Sequence, residues 1–208
     1  LLTLGSGCED NWQSFYIEEV KALSDPPECV APAVESAHYM SSGTLDVSLR
    51  NSYQAFLFVG NGMIARDDPT LPVAESNSIF VQAAVVNIEP DPQCGGAVAA
   101  TEFEWTEAAF IEPSSVITLG VTLIPPAVGS QAAASVADCP NGEAHVTAVV
   151  QLFGVTQGNI DVATQQFSFP ITICSGCLLH YPPPLSSSDL VTGCSRTDPA
   201  ITAHQTWI

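Results

Sequence analysis

Apolar and polar positions alternate with a period of two along most of this chain, the spacing of strands that bury one face and leave the other wet. In GTLDVSLR, Leu45, Val47 and Leu49 alternate with Asp46, Ser48 and Arg50, which predicts a half-buried strand with Asp46 on its polar side. Upstream, Phe15 and Ile17 are set against Tyr16 and Glu18 in a strand or short helix, stopped at SDPP because Pro26 and Pro27 lack a backbone N–H. QAFLFVGNG is apolar on both sides and closes on the turn signal Asn61-Gly62. SIFVQAAVVNIEP ends at Pro90, and EFEWTE sets Phe103 and Trp105 opposite Glu102 and Glu104.

The later segments are stronger. VITLGVTLIPP places Ile117, Leu119, Val121 and Leu123 on one face. HVTAVVQLFGVT buries Val146, Ala148, Val150 and Leu152, and after a QGN turn DVATQQFSFPITIC presents Phe167, Phe169, Ile171 and Ile173, which together predict a long hairpin. Pro170 within the last strand predicts an edge position or a bulge there. About seven strands between turn signals, with no convincing amphipathic helix, predict an all-β fold. The expected architecture is an antiparallel two-sheet sandwich, immunoglobulin-like, with irregular disulfide-tied N- and C-terminal segments. The Cys…Trp…Cys core of antibody domains is not visible. Residues 1–14 read as a signal remnant or tether, 15–177 as the β-sandwich domain, and 178–208 as a Pro/Ser-rich tail.

Charge narrows the range of partners. Twenty-two acids stand against Lys21, Arg50, Arg66 and Arg196, a net charge of −18. Four scattered basic residues cannot form the stripe that displaces counterions from a phosphate backbone, so nucleic acid is excluded as a partner. Anionic lipid repels such a chain, which leaves a covalent lipid anchor as the route to a membrane. The expected partner is another protein, or another copy of the chain.

Seven cysteines point to an oxidising compartment. Leu1, Leu2 and Leu4 resemble the end of a signal-peptide apolar region, and Gly5, Ser6 and Gly7 are the small residues before a cleavage site. Cys8 directly after them resembles the acylated cysteine of bacterial lipoproteins, although Gly5 stands three residues before it, where that signal usually carries Leu. With Cys8 as the lipidation site, six cysteines remain: Cys29, Cys94, Cys139, Cys174, Cys177 and Cys194, an even set for three disulfides. The alternative pairs Cys8 with Cys29 and leaves another thiol free. The pairing expected here is Cys177 with Cys194, Cys29 with Cys174, and Cys94 with Cys139.

At FSFPITICSGCLLHYP, SSGTLDVSLRNSYQAFLFVGN and SDPPEC, the chain resembles a group of uncharacterised secreted proteins and lipoproteins of myxobacteria. The shared elements are the Leu45 to Val47 strand, the Phe58 to Asn61 segment, and the Phe169 strand running into Cys174 and Cys177. The resemblance implies an extracellular or outer-membrane, cell-surface location and transfers no catalytic residue.

Local chemistry is sparse. Cys174 and Cys177 form a Cys-x-x-Cys pair, but a redox dithiol needs a helix N-terminus, and LLHYPPP cannot sustain one. Haem attachment would need His where Leu178 stands. Cys174, Cys177, His180 and Cys194 form a zinc-type donor set, with a short spacing to His180. Asp67, Asp68, Glu89, Asp91, Asp138 and Glu143 could supply oxygens to calcium, without the spacing of a known loop. His38, His145, His180 and His204 are isolated from nucleophile motifs. The expectation is therefore a non-enzymatic interaction or accessory module of a bacterial envelope, with no metal and no cofactor. Its alternatives are a structural subunit of a surface assembly that uses the N-terminal segment, and a metal or thiol site at the Cys-x-x-Cys.

Overall fold

The computed structural model describes residues 14–24, 38–65, 75–94 and 98–179. In chain order these contain β1 (Phe15–Lys21), β2 (Tyr39–Met40), β3 (Gly43–Asp46), β4 (Tyr53–Asn61), β5 (Ile79–Pro90), β6 (Thr101–Ile111), β7 (Ser115–Ile124), α1 (Pro126–Ser135), β8 (Glu143–Thr156), β9 (Asp161–Ala163) and β10 (Phe167–Cys174). They form a two-sheet β-sandwich. One sheet runs β2-β1-β4-β7 and is antiparallel throughout. The other runs β3-β10-β8-β5-β6, with β9 also paired to β8.

The second sheet departs from the expected antiparallel arrangement at one pair. Strands β3 and β10 run parallel, Gly43 beside Ile171 and Asp46 beside Cys174. Their direction is not set by a hairpin, because nearly the whole sandwich lies between them in sequence.

Alternation fixes the core. Leu57, Val59, Val121 and Leu123 from one sheet meet Val86, Ile88, Val150, Leu152, Ile171 and Ile173 from the other, all buried in one cluster. Tyr53 of β4 and Phe169 of β10 cross the gap between the sheets, with ring centroids 6.3 Å apart and planes 29° apart. The predicted hairpin is present in two parts, because β9 and β10 both pair with β8 and Thr164 lies between them. Buried Thr164 takes the Leu152 N–H on its hydroxyl at 3.0 Å and returns its own N–H to the Leu152 carbonyl at 2.9 Å. Pro170 stands opposite Thr147 of β8, just before the stretch that β3 covers, where no N–H is required on that side.

Three local readings change. Strand β3 ends at Asp46 rather than continuing to Arg50, because the Asp46 carbonyl accepts the N–H groups of Leu49 and Arg50 at 3.0 Å each and turns the chain. Leu49 is consequently 48% exposed. The sequence pattern also gives no sign of α1. That helix rests on alanine propensity, on Pro126 at its first turn, and on a contact periodicity cannot report. Gly129 lies against the backbone of Asn51, where any Cβ would run into the Asn51 carbonyl. Finally, Asn61 is a buried strand residue, not an exposed turn residue, and its amide donates to the carbonyls of Asn77 at 2.8 Å and Ile111 at 3.2 Å.

Lys21 is fully buried at the end of β1. Its ammonium pairs with Glu19 and sits 4.1 Å from the centre of the Phe58 ring.

Candidate functional site

The most developed polar arrangement lies where β3 and β10 end side by side. Asp46 is 0% exposed, yet each of its carboxylate oxygens is used. Oδ1 accepts the Ser48 N–H at 3.0 Å, the Ser48 hydroxyl at 2.6 Å and the Gly176 N–H at 2.8 Å, and Oδ2 accepts the Leu178 N–H at 3.0 Å. The bonds to Ser48 make a local Asx turn, and those to Gly176 and Leu178 hold the turn that follows β10. Gly176 adopts φ +80°, a left-handed conformation that a side chain would strain, in the turn that aims its own N–H and that of Leu178 at one carboxylate. The Val47 N–H donates to the Cys174 carbonyl at 2.8 Å and extends the seam by one bond.

Burial raises the Asp46 pKa, but the hydrogen bonds from the Ser48 hydroxyl, Gly176, Leu178 and the Ser48 amide outweigh it and hold the carboxyl below its ordinary value. A lowered folded value means that the unfolded chain takes up this proton first as pH falls. The stability Asp46 contributes is therefore complete above about pH 4 to 5 and is lost as pH drops through the folded value, below about 3.9. Urea unfolding at a series of acid pH values is expected to show this loss in the native chain and to lack that component in Asp46→Asn.

Among the described residues, two disulfides accompany these elements. Cys94 is bonded to Cys139, with Cα atoms 5.4 Å apart, joining the turn after β5 to the short helical turns after α1. Cys174 is bonded to Cys177, with Cα atoms 5.9 Å apart, beside Asp46. This corrects the expected pairing of Cys177 with Cys194 and of Cys29 with Cys174. A turn that bends back at once at the end of β10 brings the nearer sulfur within reach. Cys8, Cys29 and Cys194 lie outside the described residues, as do His180, His204, Asp67, Asp68 and the prolines of the SDPP stop, Pro26 and Pro27.

Cys174 Sγ, Cys177 Sγ and a carboxylate oxygen of Asp46 all lie within 4.8 Å of one another, the only group of three metal-type donors among the described residues. The donors are already engaged: the sulfurs bond each other, and Asp46 accepts four hydrogen bonds. Glu89, Asp91, Asp138 and Glu143 belong to no such group. His145 is exposed and faces the Thr172 hydroxyl at 3.2 Å across the β8–β10 pair, in an open cleft of about 290 Å³ rimmed by Glu89 and Asp91. His38 is exposed as well.

The chain matches no family model, no curated protein and no solved structure. The Asp46 seam thus stands on its own geometry. In sequence, Asp46 looks like one more polar residue on an alternating strand. Two signals could have separated it: Ser48 two residues on, the spacing of an Asx turn, and Gly176 between two cysteines, a residue suited to a left-handed turn.

Proposed function

We propose that this chain is a non-enzymatic, envelope-associated β-sandwich, lipid-anchored through Cys8 or secreted, acting as an interaction or accessory module at a bacterial cell surface. The observation that carries this reading is the pair of disulfides, Cys94–Cys139 and Cys174–Cys177, bonds that persist outside the reducing cytosol. The net charge of −18 adds to it, since it suits solubility in a salty medium and opposes binding to nucleic acid or bare anionic lipid. The resemblance at Leu45 to Val47, Phe58 to Asn61 and Phe169 to Cys177 points the same way. Intact-mass measurement of the native protein is expected to give a chain beginning at an acylated Cys8, or a clean secreted chain. A native chain recovered from the reducing cytosol with all its thiols free would overturn the proposal.

One observation favours self-assembly as the mode of interaction. Among the described residues β7 pairs only with β4, so it forms an edge of its sheet, and its ten residues, SVITLGVTLI, carry no charge. Proteins usually protect so long an edge with lysine or proline, and this one carries neither, only a bulge at Leu123 near its end. An edge of this kind accepts an added strand from a neighbour. If it does so here, Thr122→Lys should shift sedimentation from oligomer to monomer with the circular dichroism spectrum unchanged. A native chain that sediments as a monomer at high concentration would rule the mode out.

A further inference from the structure

We infer that the Cys174–Cys177 disulfide is a site of exchange with low-molecular-weight thiols, entered at the Cys177 sulfur, and that opening it releases strand β3 from β10. The bridge constrains the unfolded chain less than its longer counterpart does. Closing the 45-residue separation of Cys94 and Cys139 is worth about 4 kcal/mol through the unfolded state, whereas a separation of 3 residues is worth about 1.6 kcal/mol. What the short bridge does is local: it closes the turn whose Gly176 and Leu178 N–H groups hold the buried Asp46 carboxylate. Through Asp46 it also holds the end of β3. That strand lies at the edge of its sheet, and among the described residues its strand partner is β10, over only four residue pairs.

The two sulfurs differ in access. Cys177 is exposed and Cys174 is buried, so an incoming thiolate has one point of entry. The thiolate attacks Cys177 Sγ, a new sulfur–sulfur bond forms there, the Cys174–Cys177 bond breaks, and its electron pair leaves on Cys174 Sγ. Cys174 Sγ lies 3.8 Å from the Leu45 carbonyl oxygen and within 4.8 Å of an Asp46 carboxylate oxygen. Both neighbours repel a second negative charge, so the released sulfur takes a proton from solvent and rests as a neutral thiol. A thiol in that form attacks the mixed disulfide poorly, and the adduct on Cys177 persists. The balance is one external thiol consumed, one mixed disulfide formed at Cys177 and one thiol formed at Cys174. A second external thiol attacking the small-molecule sulfur would leave both cysteines reduced and carry away a symmetric disulfide.

The test uses reduced glutathione as the probe. The native protein is incubated with it near neutral pH, quenched in acid and mapped by peptide mass spectrometry, with amide hydrogen exchange on the same sample. The expected result is glutathione on Cys177, a free thiol on Cys174 and an intact Cys94–Cys139 bridge. The Val47 amide should then exchange about tenfold faster or more, while the β5 and β8 amides keep their protection. Glutathione on Cys174, prior opening of Cys94–Cys139, a Cys174–Cys177 bridge still intact, or an opened bridge with Val47 still protected would each overturn the inference. Cys174→Ser adds a reading without any thiol reagent. It cannot form the bridge, so fast exchange at Val47 supports the coupling, and native-like protection there overturns it.

Discussion

Phe169→Ala is expected to lower the unfolding free energy by about 3 to 5 kcal/mol, among the largest losses available to a single side chain here. Phe169 is buried on β10 and packs against Tyr53 from the opposite sheet, so its removal opens a cavity in the layer that joins the two halves of the sandwich. Relaxation cannot fill that space cheaply. Gly43 of β3 lies so close that a methyl group there would meet both the phenol of Tyr53 and the Phe169 ring, which leaves Tyr53 little room to move. Urea unfolding is expected to show a lower midpoint with an unchanged slope, the mark of lost stability without a change in cooperativity. A loss below about 1 kcal/mol would mean that the aromatic contact between the sheets is not where the core is tight.

Asp46→Asn should cost about 2 to 4 kcal/mol, although it changes neither shape nor volume. An asparagine oxygen can still accept from Ser48 and Gly176, but its NH₂ would face the Leu178 N–H, donor against donor, in place of Oδ2. Asp46→Ala costs at least as much, because the donors of Ser48, Gly176 and Leu178 lose their common acceptor. The comparison is informative because of where the damage falls. Both variants should lose amide protection first at Val47 and the residues beside Cys174, and last in β5 and β8, measured by native-state hydrogen exchange. Uniform loss across the sandwich would mean that Asp46 supports the whole core rather than one seam.

Much of the sandwich is legible in the sequence because burial on one face of a strand leaves a period-two trace. Val146, Ala148, Val150 and Leu152 are buried as their alternation predicts, and so are Leu119, Val121 and Leu123. Most of the failures share a cause: they depend on a partner far away in the chain. Alternation assigns Asp46 to solvent, because nothing within eight residues of it announces the Gly176 and Leu178 amides that allow a carboxylate to be buried. The parallel pairing of β3 with β10 leaves no local trace either, since side chains alternate in the same way in both kinds of ladder. Helix α1 is missed because PAVGSQAAAS has small residues on every side, and its docking depends on an absent side chain at Gly129. The Cys174–Cys177 bond escapes because spacing alone does not decide between a neighbouring partner and a distant one.

The parallel β3–β10 pair also sets the order in which this molecule can assemble. Strand β3 is among the first made and β10 is the last strand of the described residues, so their ladder closes a loop of more than a hundred intervening positions. Hairpin contacts such as β5–β6 can form while synthesis continues, but the seam at Asp46 must wait for the sandwich to collapse around β10. Fold-wide contacts of such long sequence separation belong to slow folders, which complete in milliseconds to seconds rather than microseconds. Until that last step the carboxylate of Asp46 remains hydrated, and the core edge next to Leu45 stays open to chaperones and to misplaced strands.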